Sequence, residues 1–231
     1  KLVEDAAPAI GAEWRNQKCG SFGDFSAFSF QGAKLMVTGE GGMLLTNNTD
    51  LYEKAKKIWD QGRNPNKVFW IDGEGVKFKM SNIQAAIGLG QLERINELIE
   101  FKRRIFSWYS EGLSSLNQIQ LNREVKNAKS IYWMSSLYIK EEFDFSRDKL
   151  ISYLRSKNID SRPVFPAISQ YPIWPREQNP QPIAFKVGQR SLNLPSRINS
   201  RHKCNKRFRS ISKWFNKKVR EITSIKQKRS K

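Results

Sequence analysis

The 231-residue chain has two cysteines, one histidine and only 22 acidic side chains. Cys19 and Cys204 have no CxxC spacing, which excludes a disulfide framework and suits a reducing cytosol. His202 stands without a cluster of ligand-type residues, so it reads as a solvated side chain and no metal site is expected. No apolar run approaches the ~18 residues of a membrane span. No apolar leader opens the chain either, so the expected location is the cytoplasm. The shortage of acid is the loudest absence. Against 41 Lys and Arg it leaves a net charge of +19 and a pI near 10.1, values that ordinarily point to nucleic acid or an anionic membrane.

That charge is unevenly placed. Residues 1–200 hold 28 basic and 21 acidic side chains, whereas residues 201–231 hold 13 and 1. The excess is a property of the tail, and the body is an ordinary, mildly basic sequence. Its 39% hydrophobic and 12% aromatic content suffices for a packed core. Nucleic acid is therefore not the expected partner.

Along the chain, Leu2-Val3 reads as the end of a buried strand closing on Glu4 and Asp5, so the opening resembles the interior of a domain. Phe25–Phe30 reads as a short buried strand. A loop with Lys34 follows, then the Gly39-Glu40-Gly41-Gly42 turn and an apolar stretch, Met43–Thr46. Asp50-x-x-Glu53 predicts a capping box opening a helix that Gly62 ends, and Ser81-x-x-Gln84 predicts a second helix start. From there apolar residues at helical spacing run to Tyr109, with a break. After Asn117 the character changes. Ser130–Ile139 is β-rich, Arg147–Lys157 helical, Ser161–Phe165 extended, and Leu192–Pro195 a last short strand. The expected organisation is α/β: a partial three-layer large domain over 1–116, with its connecting helix, a small α+β domain over 117–197, and a basic amphipathic tail over 198–231. In that tail Phe208, Ile211, Trp214, Phe215, Val219, Ile222 and Ile225 form an apolar stripe, expected to dock on the core.

Asp5 and Ser29 fall at strand ends, and Lys34 lies in the loop that follows. A carboxylate, a hydroxyl and a lysine on the ligand edge of an α/β sheet make a plausible site for pyridoxal 5′-phosphate. That cofactor needs a lysine for a Schiff base, an acid for its ring nitrogen and donors for its phosphate. Spacing alone leaves open the plainer alternative of surface and structural residues.

The runs VEDAAPAIGAEW, GSFGDFSAFSFQGAKLMVTGEGGMLLTN and KMSNIQAAIGLGQLERI resemble the DegT-type family of pyridoxal phosphate-dependent nucleotide-sugar aminotransferases. SIYWMSSLYI, IDSRPVFPAI and LNLPS look like its small domain, close to perosamine-synthase-like members. The resemblance covers about residues 2–197, and its FSFxxxKxxxxGEGG block is highly specific. It implies a fold-type-I transferase in which Lys34 is the Schiff-base lysine, Asp5 the partner of the ring nitrogen and Ser29 a phosphate ligand. Lysine rather than histidine at that position implies transamination, from a donor expected to be glutamate to a nucleotide-linked keto-deoxy sugar. Arg162 is implied as a substrate contact. A cytoplasmic homodimer is the implied assembly.

The sequence also departs from that family. Pro8 stands where many members have a polar residue near the ring. Lys77-Phe78-Lys79 replaces an Asn-Tyr-Arg segment that reaches the cofactor phosphate across a dimer interface, which makes Lys77 a point-charge substitute. The family's front part of the large domain precedes Leu2. An N-terminally truncated chain is thus expected, with an open sheet edge and poor cofactor binding by itself. Two alternatives follow: a catalytically incompetent remnant, and a protein that binds anionic surfaces or nucleic acid through its tail.

Overall fold

The computed structural model describes residues 1–174, 181–197 and 201–229, the side chains of 201–203 and 222–229 excepted. Sixteen regular elements follow one another: β1 (Val3–Asp5), β2 (Glu13–Trp14), β3 (Gln17–Lys18), β4 (Phe25–Ser29), β5 (Gly42–Leu45), α1 (Thr49–Trp59), α2 (Asn82–Leu92), α3 (Ile95–Leu113), β6 (Ile119–Leu121), β7 (Ala128–Lys129), β8 (Ser135–Ile139), α4 (Arg147–Ser156), β9 (Arg162–Pro163), α5 (Pro182–Arg190), β10 (Ser191–Leu194) and α6 (Arg201–Arg229). A 3-10 turn covers Ile168–Gln170. The chain divides into two compact units, Lys1–Glu100 with Glu124–Trp133, and Phe101–Arg123 with Met134–Lys231.

In the first unit, β1 pairs with β4 in parallel and β4 pairs with β5 antiparallel, giving the order β1-β4-β5. Parallel neighbours need a long crossover. Here it is residues 6–24, which contain the β2–β3 hairpin. Arg15 and Asn16 of its two-residue loop both have positive φ, the type I′ arrangement whose twist matches paired strands. β7 completes a second small sheet, β3-β2-β7. All four residues of β5 are exposed, as are Leu2 and Val3.

The helix expected from Asp50 is capped two residues earlier. Asn48 accepts from the Leu51 N–H at 2.9 Å, because an N-cap side chain must reach the N–H of N2 or N3 and Asn48 has the extended backbone that allows it. At the far end Gln61 takes the left-handed position next to the cap residue Asp60, and Gly62 after it is left-handed too. Gly62 then donates to the Lys57 carbonyl at 2.8 Å, the outer bond of a Schellman motif, while the Gln61 N–H donates to the Val76 carbonyl at 3.2 Å. A Cβ on Gly62 would fall 1.9 Å from the Gly73 oxygen, so only glycine fits there. The capping box at Ser81 and Gln84 forms as predicted. The expected break in the long helix lies between Leu92 and Ile95.

The second unit is an antiparallel sheet of order β6-β8-β10-β9. Leu137, Ile139, Leu192 and Leu194 of this sheet are buried with Leu150 and Leu154 of α4 and Ile105, Tyr109 and Leu113 of α3. α6 closes the core with Cys204, Ile211, Trp214 and Phe215, and Phe208 and Val219 pack beside them. This is the docked helix that the apolar stripe predicts. Ile222, Ile225 and His202 lie outside the described side chains. Phe145 meets Trp214 and Phe215 edge-on at 5.7 and 5.4 Å, the arrangement that aromatic quadrupoles favour.

Candidate functional site

Asp5 is the last residue of β1 and Ser29 the last of β4. Both strands run the same way, so both residues lie at the carboxyl edge, where ligands of α/β sheets bind. The register pairs Asp5 with Ala27. Side chains alternate along a strand, so Asp5, Ala27 and Ser29 share one face, and the Asp5 and Ser29 Cα atoms are separated by about 8 Å. Across β4, Ser29 faces Gly42 of β5, which carries no side chain. The opposite face is used structurally: Ser26 is buried and donates to the Gly20 carbonyl at 2.7 Å.

Lys34 follows on a loop held at several points. Phe30, Leu35, Met36 and Thr38 are buried. The Lys34 N–H donates to the Gln31 carbonyl at 2.8 Å. Gln91 of α2 clamps the loop from the side, accepting from the Val37 N–H at 3.0 Å and donating to its carbonyl at 2.6 Å. Trp133 fixes the other end, because its indole N–H donates to the Ala33 carbonyl at 2.7 Å. Its ring also lies 4.2 Å from the Lys34 ammonium, a cation–π contact. Neither Gln91 nor Trp133 has a local sequence signal for this role. Gln91 reads as one more polar position on a helix, and Trp133 as part of a β-rich run a hundred residues away.

The remaining partners of the two edge residues are modest. The Asp5 carboxylate is exposed and accepts from the Ala7 N–H at 3.2 Å. The Ser29 hydroxyl accepts from the Gln31 N–H at 3.3 Å and keeps its own proton free to donate. An acid and a hydroxyl donor therefore share one edge of one sheet, and the loop that leaves that edge carries a lysine. This donor set fits pyridoxal phosphate, which presents a basic ring nitrogen, a phosphate dianion and an aldehyde.

Lys77 lies elsewhere in the same unit. It is exposed, its backbone bridges to Asp60, and no described contact joins it to Asp5, Ser29 or Lys34. Its neighbour Lys79 is the one that is engaged, 2.7 Å from Asp60 and 4.8 Å from the Trp59 ring. A hydrogen bond and charge from Lys79 hold the Asp60 carboxyl below its ordinary pKa. Arg162 belongs to the second unit, on edge strand β9, where it lies 3.6 Å from Asp160. Both side chains are exposed, and such a surface pair is weak enough to exchange for another anion.

Among the described residues there is no cluster of metal ligands, and no helix is long and apolar enough to cross a membrane. The model of the DegT/DnrJ/EryC1/StrS aminotransferase family matches residues 1–206. The GDP-perosamine synthase of Caulobacter vibrioides is 39% identical over 197 residues, 84% of this chain and 53% of its own length. That of Vibrio cholerae is 36% identical over 197 residues, with the same shares of 84% and 53%. The chain thus spans about half the length of the curated relatives it matches. Among solved structures, the Helicobacter pylori aminotransferase PseC superposes with a TM-score of 0.86 at 24% identity, over 93% of this chain and 59% of that one. DesI, solved with its TDP-sugar product, gives 0.85 at 24% over 98% and 58%. These likenesses agree on the fold, the partial fold-type-I α/β arrangement expected from the sequence. With that fold, the FSFxxxKxxxxGEGG block on its loop and the match over residues 1–206, the chain belongs to the DegT/DnrJ/EryC1/StrS aminotransferase family.

Proposed function

We propose that this chain is the lysine-bearing part of a pyridoxal phosphate-dependent aminotransferase that moves an amino group from glutamate to a nucleotide-linked keto-deoxy sugar. The observation that carries the reading is Asp5 and Ser29 on one face at the carboxyl ends of paired parallel strands, with Lys34 on the clamped loop that follows. The names of the relatives, GDP-perosamine synthases, support a nucleotide sugar as acceptor.

When bound, the cofactor supplies an electron sink for the carbanion left when an amino acid loses its α-proton. The chain's own residues do the rest. Asp5 holds the proton on the ring nitrogen by charge, which is the electrostatic part of the catalysis. Ser29 donates to the phosphate. The Lys34 amine, swinging off Trp133, would take the proton from the substrate carbon as general base and give it back as general acid. Lys77, exposed and without competing contacts to that edge, supplies positive charge to the phosphate of a second copy in a cytoplasmic homodimer. Arg162 binds the anionic part of the substrate, through the planar fork that suits phosphate and carboxylate.

Borohydride reduction in the presence of pyridoxal phosphate fixes a pyridoxyl group on whichever lysine it has reached, and peptide mass spectrometry identifies that lysine. Because the trap records even weak occupancy, the readout is selectivity among lysines rather than tightness. Labelling concentrated on Lys34 and weakened by Asp5→Asn is the expected result. Labelling spread evenly over the exposed lysines of a folded chain would overturn the reading.

A further inference from the structure

The helix α6 carries a surface that the aminotransferase reading does not use. Lys206, Arg209, Lys213, Asn216, Lys217 and Arg220 are all exposed. At 3.6 residues per turn they fall within an arc of about 100°, as a stripe about 21 Å long. The arc lies nearly opposite Cys204, Ile211 and Phe215, which are fully buried in the core of the second unit. Glu221, the acid bordering the stripe, is engaged by Lys218 and lies 3.9 Å from Lys217. Lys206, Arg209, Lys213 and Arg220 have no ion-pair partner among the described residues. The family model's match ends at residue 206, where the stripe begins.

Like charges four residues apart weaken a helix, and the stripe holds two such pairs, Arg209 with Lys213 and Lys213 with Lys217. An anion lying along the stripe would offset that repulsion. The shape of the stripe narrows the choice of anion. It offers no aromatic on which an unpaired base would stack. On a duplex, phosphates curve away from a straight row of five cations, whereas a flat sheet of headgroups meets all five together. Among the described side chains the apolar face of α6, Cys204 to Val219, is occupied by the core, so that part of the helix has nothing to insert.

We propose that the basic stripe of α6 is a docking surface for a flat lipid bilayer rich in anionic headgroups, held by charge and without insertion. The proposal is independent of the cofactor site, and its test does not read activity.

The test is flotation of the full chain with phosphatidylcholine vesicles, with and without phosphatidylserine. The chain is compared with the triple variant Arg209→Gln/Lys213→Gln/Lys217→Gln and with a charge-matched control, Lys54→Gln/Lys126→Gln/Lys157→Gln. A cation at such a surface is worth about fivefold in partitioning, so the stripe variant should bind about 100-fold more weakly than the parent. The control should lose far less, pure phosphatidylcholine should bind nothing, and added salt should release the chain. Equal losses in the two variants would overturn the proposal, because net charge alone would then explain binding. So would persistent binding to pure phosphatidylcholine. A short DNA duplex that strips the chain from vesicles and itself loses affinity for the stripe variant would make nucleic acid the occupant instead.

Discussion

One carboxylate holds the loop that leads into β4. Glu4 Oε1 accepts from the N–H groups of Phe22 and Gly23 at 2.5 and 2.7 Å, and Oε2 accepts from Gly20 at 2.7 Å. Glu4→Ala removes all three acceptors at once. A hydrogen bond to a charged group contributes about 1.5–3 kcal/mol, but water reaches this half-buried loop, so we expect a loss of about 3 kcal/mol rather than the full sum. Glu4→Gln keeps the shape but turns one acceptor into a donor facing an N–H, at a cost of about 1–2 kcal/mol. Burial works to raise the Glu4 pKa, but the three backbone donors outweigh it and hold it below the ordinary value. A depressed pKa in the folded state gives stability that is present above the ordinary glutamate value and is lost as pH falls through the folded one. Hydrogen exchange of peptides covering residues 19–25, read with urea unfolding across the acid range, checks both effects. The loop amides should lose protection in Glu4→Ala, and Glu4→Gln should lack the acid dependence. An alanine variant with unchanged protection and an unchanged acid limb would refute the reasoning.

Other outcomes follow from the packing. Gly112→Ala, favourable in most helices, should destabilise the second unit by about 1–3 kcal/mol in urea titration, because its Cβ would lie 2.6 Å from the Phe208 ring. Burial pushes the Lys102 ammonium down to about 8. The unfolded chain then binds the extra proton above that pH, so unfolding free energy should rise from pH 8 upward, and Lys102→Met should abolish the rise. Ser135 is buried, and its hydroxyl has no hydrogen-bond partner in the described structure. Ser135→Ala should therefore be neutral or stabilising by about 1 kcal/mol in thermal unfolding. Trp133→Leu should free the Lys34 loop, seen as faster exchange of residues 31–36 with little change in the second unit.

What was legible in the sequence is what local chemistry decides. The Ser81–Gln84 box specifies its own helix start because both partners lie within one turn. β4 follows from an aromatic run between turn formers, and the docked face of α6 from five apolar positions at helical spacing. The N-cap of α1 was less determined, since Asn47, Asn48, Thr49 and Asp50 are all competent caps and only the backbone at Asn48 selects among them. The site divides in the same way. Asp5, Ser29 and Lys34 announce themselves by position at strand ends and by the block around the lysine. The side chains that steady that lysine do not, because hydrogen bonds spanning 54 and 100 residues leave no periodicity to read.

The chain passes between its two units three times, after Glu100, after Arg123 and after Trp133. No single cut releases either unit whole. The order of synthesis matters as well. At about 5–20 residues per second, Trp133 leaves the ribosome about 5–20 s after Lys34. For the first part of that interval the lysine loop lacks both clamps, and once Gln91 has emerged it still lacks the indole, while the strand that β7 adds to the β2–β3 hairpin is also missing. The Lys34 loop is thus among the last parts of its unit to be set in place, and a nascent chain stalled before residue 133 would carry the motif without its support.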